Sequence, residues 1–69
     1  MNNADVLAFE MYKEAHALRA KSPAHQGTAT RVVEGVEFKC YAHGSSTHFY
    51  RDGKKVSRKK ATQQMAELM

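Results

Sequence analysis

The chain has 69 residues, 42% of them hydrophobic and 26% charged, with one cysteine, one proline and four glycines. That length forms one small domain, residues 1–69, burying roughly 60% of its unfolded surface, and leaves no room for separate cofactor and substrate domains. A disulfide scaffold is excluded because Cys40 has no second cysteine to pair with, and the net charge of +4 points to anionic partners. The apolar runs are too short for a membrane-spanning helix or the apolar region of a signal peptide. The chain opens at Met1 on an Asn-Asn pair rather than a basic segment, so the expectation is a cytoplasmic, reducing compartment.

Residues 4–20 are rich in good helix formers and contain neither glycine nor proline. At roughly 100° per residue, Leu7, Ala8, Met11, Tyr12, Ala15 and Leu18 gather on one side, opposite Glu10, Lys13, Glu14 and His16. The pattern predicts an amphipathic helix capped by Asn3, with Phe9 toward the polar side. Lys21-Ser22-Pro23 ends it, because a residue before proline is pushed out of the α region.

Residues 23–28 read as a loop, after which the period changes to two. A short strand is expected over 29–33, then a tight turn at Glu34-Gly35. From 36 to 43, Val36, Phe38, Cys40 and Ala42 alternate with Glu37, Lys39, Tyr41 and His43, which marks a strand with one buried and one solvated face. Gly44-Ser45-Ser46 is a turn, 47–51 a third strand with Phe49 inward, and Asp52-Gly53 a further turn signal. Ser57 caps a last helix over 58–68, striped with Ala61, Met65 and Leu68. The expected class is α+β in the order α-β-β-β-α, a three-stranded antiparallel meander with both helices on one face. Its expected core is Leu7, Met11, Leu18, Val36, Phe38, Cys40, Phe49, Ala61, Met65 and Leu68.

The excess charge is concentrated. Six of the eleven bases and one of the seven acids lie within 51–60, leaving five bases against six acids elsewhere. The bases are Arg51, Lys54, Lys55, Arg58, Lys59 and Lys60, and the acid is Asp52. A helix N-terminus already carries roughly half a positive charge and open N–H groups, so bases in the first turn oppose the helix. The same placement suits phosphate, which dipole, amides and cations attract together. A solvated, solubilising stretch is the plainer alternative.

The start of this last helix, Ser57-Arg58-Lys59-Lys60-Ala61-Thr62, resembles the double-stranded RNA-binding domain family. That family has an α-β-β-β-α order over a similar length and a last helix opening S-K-K-x-A-K. Thr62 replaces the final lysine, and Glu34-Gly35 is shorter than the family's first hairpin loop, whose G-P-x-H-like motif is absent. Ala66 also fits the family's later small residue. The resemblance implies phosphate contacts by Arg58 and Lys59 and, from the first helix, contacts by Glu10 and Lys13 in a minor groove.

On the other face of the sheet, Tyr41, His43, His48 and Tyr50 are expected to project together beside Lys39. Such a face can stack unpaired bases or meet a protein partner, and Tyr and His also suit any half-exposed strand. Cys40 and His43 have opposite parity on their strand, which speaks against zinc, and no nucleophile, carboxylate pair or phosphate loop points to an enzyme. No cofactor is expected. The sequence therefore favours a small basic nucleic-acid-binding module, with structured or double-stranded RNA ahead of DNA. The alternative is a phage-type accessory protein that inhibits a host protein through the Tyr/His face.

Overall fold

The computed structural model describes residues 3–69, and Met1 and Asn2, with the polar opening read from the sequence, lie outside them. The order is α1 (Asn3–Lys21), β1 (Gln26–Val33), β2 (Val36–His43), β3 (Ser46–Arg51), β4 (Lys54–Val56) and α2 (Arg58–Leu68). The class is α+β as expected, but the antiparallel sheet has four strands rather than three, in the order β1-β2-β3-β4. The added strand is only Lys54, Lys55 and Val56. Three residues are too few to show a period, and two lysines conceal the one apolar residue that does turn inward.

Two-residue turns set the whole register. Val33 pairs with Val36, His43 with Ser46, and Arg51 with Lys54. Glu34-Gly35 and Asp52-Gly53 both have positive φ at their two central residues (49° and 79°, 47° and 85°). That is the hairpin turn whose twist matches the flanking strands, and Asp-Gly is among its preferred sequences. Asp52 is also a latch: its N–H donates to the Glu37 carbonyl at 2.8 Å, and its Oδ1 accepts from the Glu37 N–H at 3.0 Å. The single acid of the basic stretch thus ties the β3–β4 turn to β2. The expected loop over 23–28 is shorter than read, since β1 begins at Gln26.

Alternation carries the core. Gly27 and Ala29 on β1, Phe38, Cys40 and Ala42 on β2, and Phe49 on β3 are buried. Register pairs put them on one face: Ala29 opposite Cys40, Gly27 opposite Ala42, and Cys40 opposite Phe49. Ala4, Ala8, Met11 and Ala15 of α1 and Ala61 and Met65 of α2 join the same cluster, so both helices cover that face. Full burial of side chains such as Phe38, Met11 and Met65 contributes about 1.5–3 kcal/mol each.

The expected core needs correction at its edges. Leu18 is 44% exposed, while Leu7, Val36 and Leu68 pack against the cluster only partly buried. The contact stripe of α1 is mostly alanine, and the strand beneath offers Gly27 and Ala29. Small residues on both sides let the helix backbone settle close to the sheet, which pushes the larger Leu18 to the flank. Asn3 lies within α1 rather than before it as a cap. Glu14 and His16 are half-buried rather than on an outer side: Glu14 pairs with Arg31, and His16 Nε2 lies 2.6 Å from Thr47 Oγ1. Phe9 does face outward, 46% exposed. Among the described residues no helix is long and apolar enough to cross a membrane.

Candidate nucleic-acid interface

The basic stretch passes through a hairpin turn, a three-residue strand and a helix start, and each element aims its bases differently. On β4, Val56 pairs with Phe49 on the helix-covered side, and the strand's period of two then places Lys55 on the open side, opposite Tyr50. Lys54 shares the parity of Val56 and pairs with Arg51; with Asp52, Lys55, Lys60 and Gln64 these two line a depression of about 440 Å³.

The chain then leaves the sheet at Ser57. Its φ of −71° and ψ of 157° are extended, its Oγ accepts the Lys60 N–H at 3.1 Å, and its carbonyl accepts the Ala61 N–H at 2.8 Å. The expected cap is therefore in place, and the amides of Arg58 and Lys59 remain open at the helix start. Ser57 and Arg58, with Lys55, His48, Thr47 and Tyr12, line a cavity of about 300 Å³ where β4 ends and β3 continues paired to β2 alone. Arg58 is held over the Tyr12 ring, 5.2 Å from its centroid, within the range of a cation–π contact. Lys59 lines a neighbouring depression with Asp5, Arg58, Thr62 and Gln63. Lys54, Lys55, Arg58, Lys59 and Lys60 are all exposed, and among the described residues the one salt bridge is Arg31–Glu14, away from this region.

The two α1 residues are placed unequally. Lys13 stands over Phe9, 5.4 Å from its ring centroid, and Phe9 shares a depression with Arg58 and Thr62. Glu10 is exposed and lies about 160° round α1 from Tyr12 at 100° per residue, so it is not brought to the bases of α2. Sequence reasoning missed the part of Tyr12, whose ring sits 4.4 Å from that of His16 and supports Arg58. The four-residue spacing of Tyr12 and His16 was the available signal.

The open face gathers the residues expected there. Lys39 pairs with Tyr50, Tyr41 with His48, and His43 with Ser46. Lys39, Tyr41 and Tyr50 line a shallow depression of about 350 Å³ with Thr28 and Gly53. The Tyr41 and His43 rings are parallel within 8°, their centroids 6.2 Å apart. Cys40 faces the other way, into the core, where burial pushes its thiol from an ordinary 9.0 up to about 11 against a smaller opposing pull from Arg58. No group of three His, Cys, Asp or Glu side chains suited to a metal ion occurs among the described residues.

Comparison with known proteins finds no matching family model, no matching curated protein and no matching solved structure.

Proposed function

We propose that this protein is a nucleic-acid-binding module that holds phosphates between the β3–β4 hairpin and the first turn of α2. The observation that carries the reading is the set of five exposed bases, Lys54, Lys55, Arg58, Lys59 and Lys60, without ion-pair partners among the described residues, around a capped helix start that leaves two amides open. Cations at that end oppose the helix dipole, by about 0.3–1 kcal/mol each, so their presence is better explained by an anion than by stability. A phosphate between Lys55, Ser57 and Arg58 meets side-chain charge, amides and dipole together. The S-R-K-K-A start of α2 supports RNA over DNA through its resemblance to double-stranded RNA-binding domains. The two-residue β1–β2 turn, the additional strand β4 and the position of Glu10 depart from that family's pattern, so the phosphate-binding reading stands on the helix start itself.

The test is fluorescence anisotropy with labelled duplex RNA, duplex DNA and single strands, on the wild type and a Lys55→Ala, Arg58→Ala, Lys59→Ala triple variant. The variant is expected to lose about tenfold or more in affinity, from three phosphate contacts. Its melting temperature is expected to stay the same or rise, because charge unfavourable to the helix is removed. Equal affinities of variant and wild type refute the proposal.

A further inference from the structure

We infer that the open face of the sheet takes unpaired bases of a single strand, stacking them on Tyr41 and Tyr50 while Lys39 and Lys55 hold the adjoining phosphates. The inference rests on the phosphate-binding reading above and names the class of nucleic acid.

Register carries it. Lys39, Tyr50 and Lys55 form one row across three strands, so Tyr50 has a lysine directly opposite it on each neighbouring strand, at the roughly 4.5–5.5 Å Cβ spacing of paired residues. Tyr41, opposite His48 in the next row, is the diagonal neighbour of Tyr50, at about 7–8 Å. That exceeds the roughly 3.4 Å rise between stacked bases, so the two rings suit bases that have separated from each other rather than a continuous stack. Bases inside a duplex offer no free face to an aromatic ring, whereas splayed bases of a single strand do.

Charge favours the same occupant. Alternation puts one strand acid on this face, Glu37, and Asp52 of the β3–β4 turn sits beside it with its Oδ1 on the Glu37 N–H; both lie at the end of β2 away from His43, whereas Lys39 and Lys55 flank Tyr50. The face is also continuous with the phosphate site: Lys55 pairs with Tyr50 and lines the cavity that Ser57 and Arg58 enclose. A strand whose phosphates rest at the start of α2 therefore runs over Lys55 onto Tyr50 without crossing an acidic side chain of that face. Both tyrosines are half-buried, so their rings are held by neighbours while part of each stays accessible.

The experiment compares Tyr41→Leu, Tyr50→Leu with Tyr41→Phe, Tyr50→Phe in the full chain, using a labelled oligouridylate of about twelve nucleotides, a size within the range of single-strand sites, and an RNA duplex of equal length. The leucine variant is expected to bind oligouridylate at least about tenfold more weakly, since loss of one stacking ring costs about 5- to 150-fold. The phenylalanine variant is expected to bind like the wild type, with duplex affinity unchanged in both. Oligouridylate binding unaltered by leucine, or duplex binding falling with it, overturns the inference. If the leucine variant is unaltered while the Lys55, Arg58, Lys59 triple variant is impaired, only the sheet-face assignment falls. If the wild type binds neither strand nor duplex, both readings fall. A co-purifying protein lost on leucine substitution in nuclease-treated extract, with oligouridylate binding unchanged, gives the face to a protein instead.

Discussion

Gly27→Ala probes how closely α1 lies on the sheet. A Cβ placed on Gly27 meets the Ala15 carbonyl oxygen at 2.0 Å, the Arg19 nitrogen at 2.5 Å and the Leu18 Cβ at 3.0 Å, where ordinary contact begins at 3.4 Å. Two of those atoms are helix backbone and cannot rotate away, so the C-terminal half of α1 must lift by about 1 Å or more, a shift that tight packing resists. Such overpacking costs about 1–3 kcal/mol or more, and the lifted helix also loosens Met11 and Ala15 from Ala29 and Ala42. The opposing gain, from a less flexible unfolded chain, is only about 0.4–1 kcal/mol. The clash therefore wins, and it matters in a domain of this size, whose core, net of conformational entropy, rarely supplies more than about 3–5 kcal/mol. Thermal melts followed by circular dichroism are expected to fall by roughly 4–8 °C per kcal/mol lost. Gly35→Ala is the control: its Cβ finds open space, and only the φ of 79° costs it about 1–2 kcal/mol. A Gly27→Ala variant as stable as wild type refutes the close crossing of α1 over β1.

Asp52→Ala removes both a favoured turn residue and the acceptor for the Glu37 N–H, and is expected to lower stability by about 1–2 kcal/mol in urea melts. Asp52→Asn keeps an acceptor and is expected to cost less; equal costs rule out the latch. For Cys40, the folded-state pKa is raised above the unfolded value, so the stability that the neutral thiol contributes is fully present below about pH 9 and is lost as pH rises through about 11. The stability difference between wild type and Cys40→Ala is therefore expected to shrink across that window. A pH-independent difference contradicts the burial of the thiol.

Much of this fold is legible in the chain because its strands are one-sided and its turns specific. The alternation from Val36 to His43 identifies β2 and both of its faces without reference to any neighbour. Glu34-Gly35 and Asp52-Gly53 mark hairpins, but only the second implies β4, and Val56 alone cannot announce a strand behind two lysines. Leu18 misleads for a different reason. Hydrophobicity ranks it above alanine as an anchor, whereas the approach distance of α1 is set by Gly27 beneath it. The basic cluster is visible as composition, yet its arrangement is not: Lys55 pairs with Tyr50, Lys54 pairs with Arg51, both lysines line a depression with Lys60, and Arg58 rests on Tyr12. Those directions follow from strand parity and helix packing, which exist only once β4 is formed.

The most direct test of phosphate binding is its salt dependence. Affinity for a labelled RNA is measured from about 50 to about 300 mM NaCl, for wild type and for Lys59→Ala, as the slope of log K against log salt concentration. With three to five of the exposed bases from Lys54 to Lys60 on phosphates, the wild-type slope is expected at about −2 to −4.5. Lys59→Ala is expected to reduce its magnitude by about one, with no loss of melting temperature. A slope near zero, or one that Lys59→Ala leaves unchanged, contradicts phosphate binding at the start of α2.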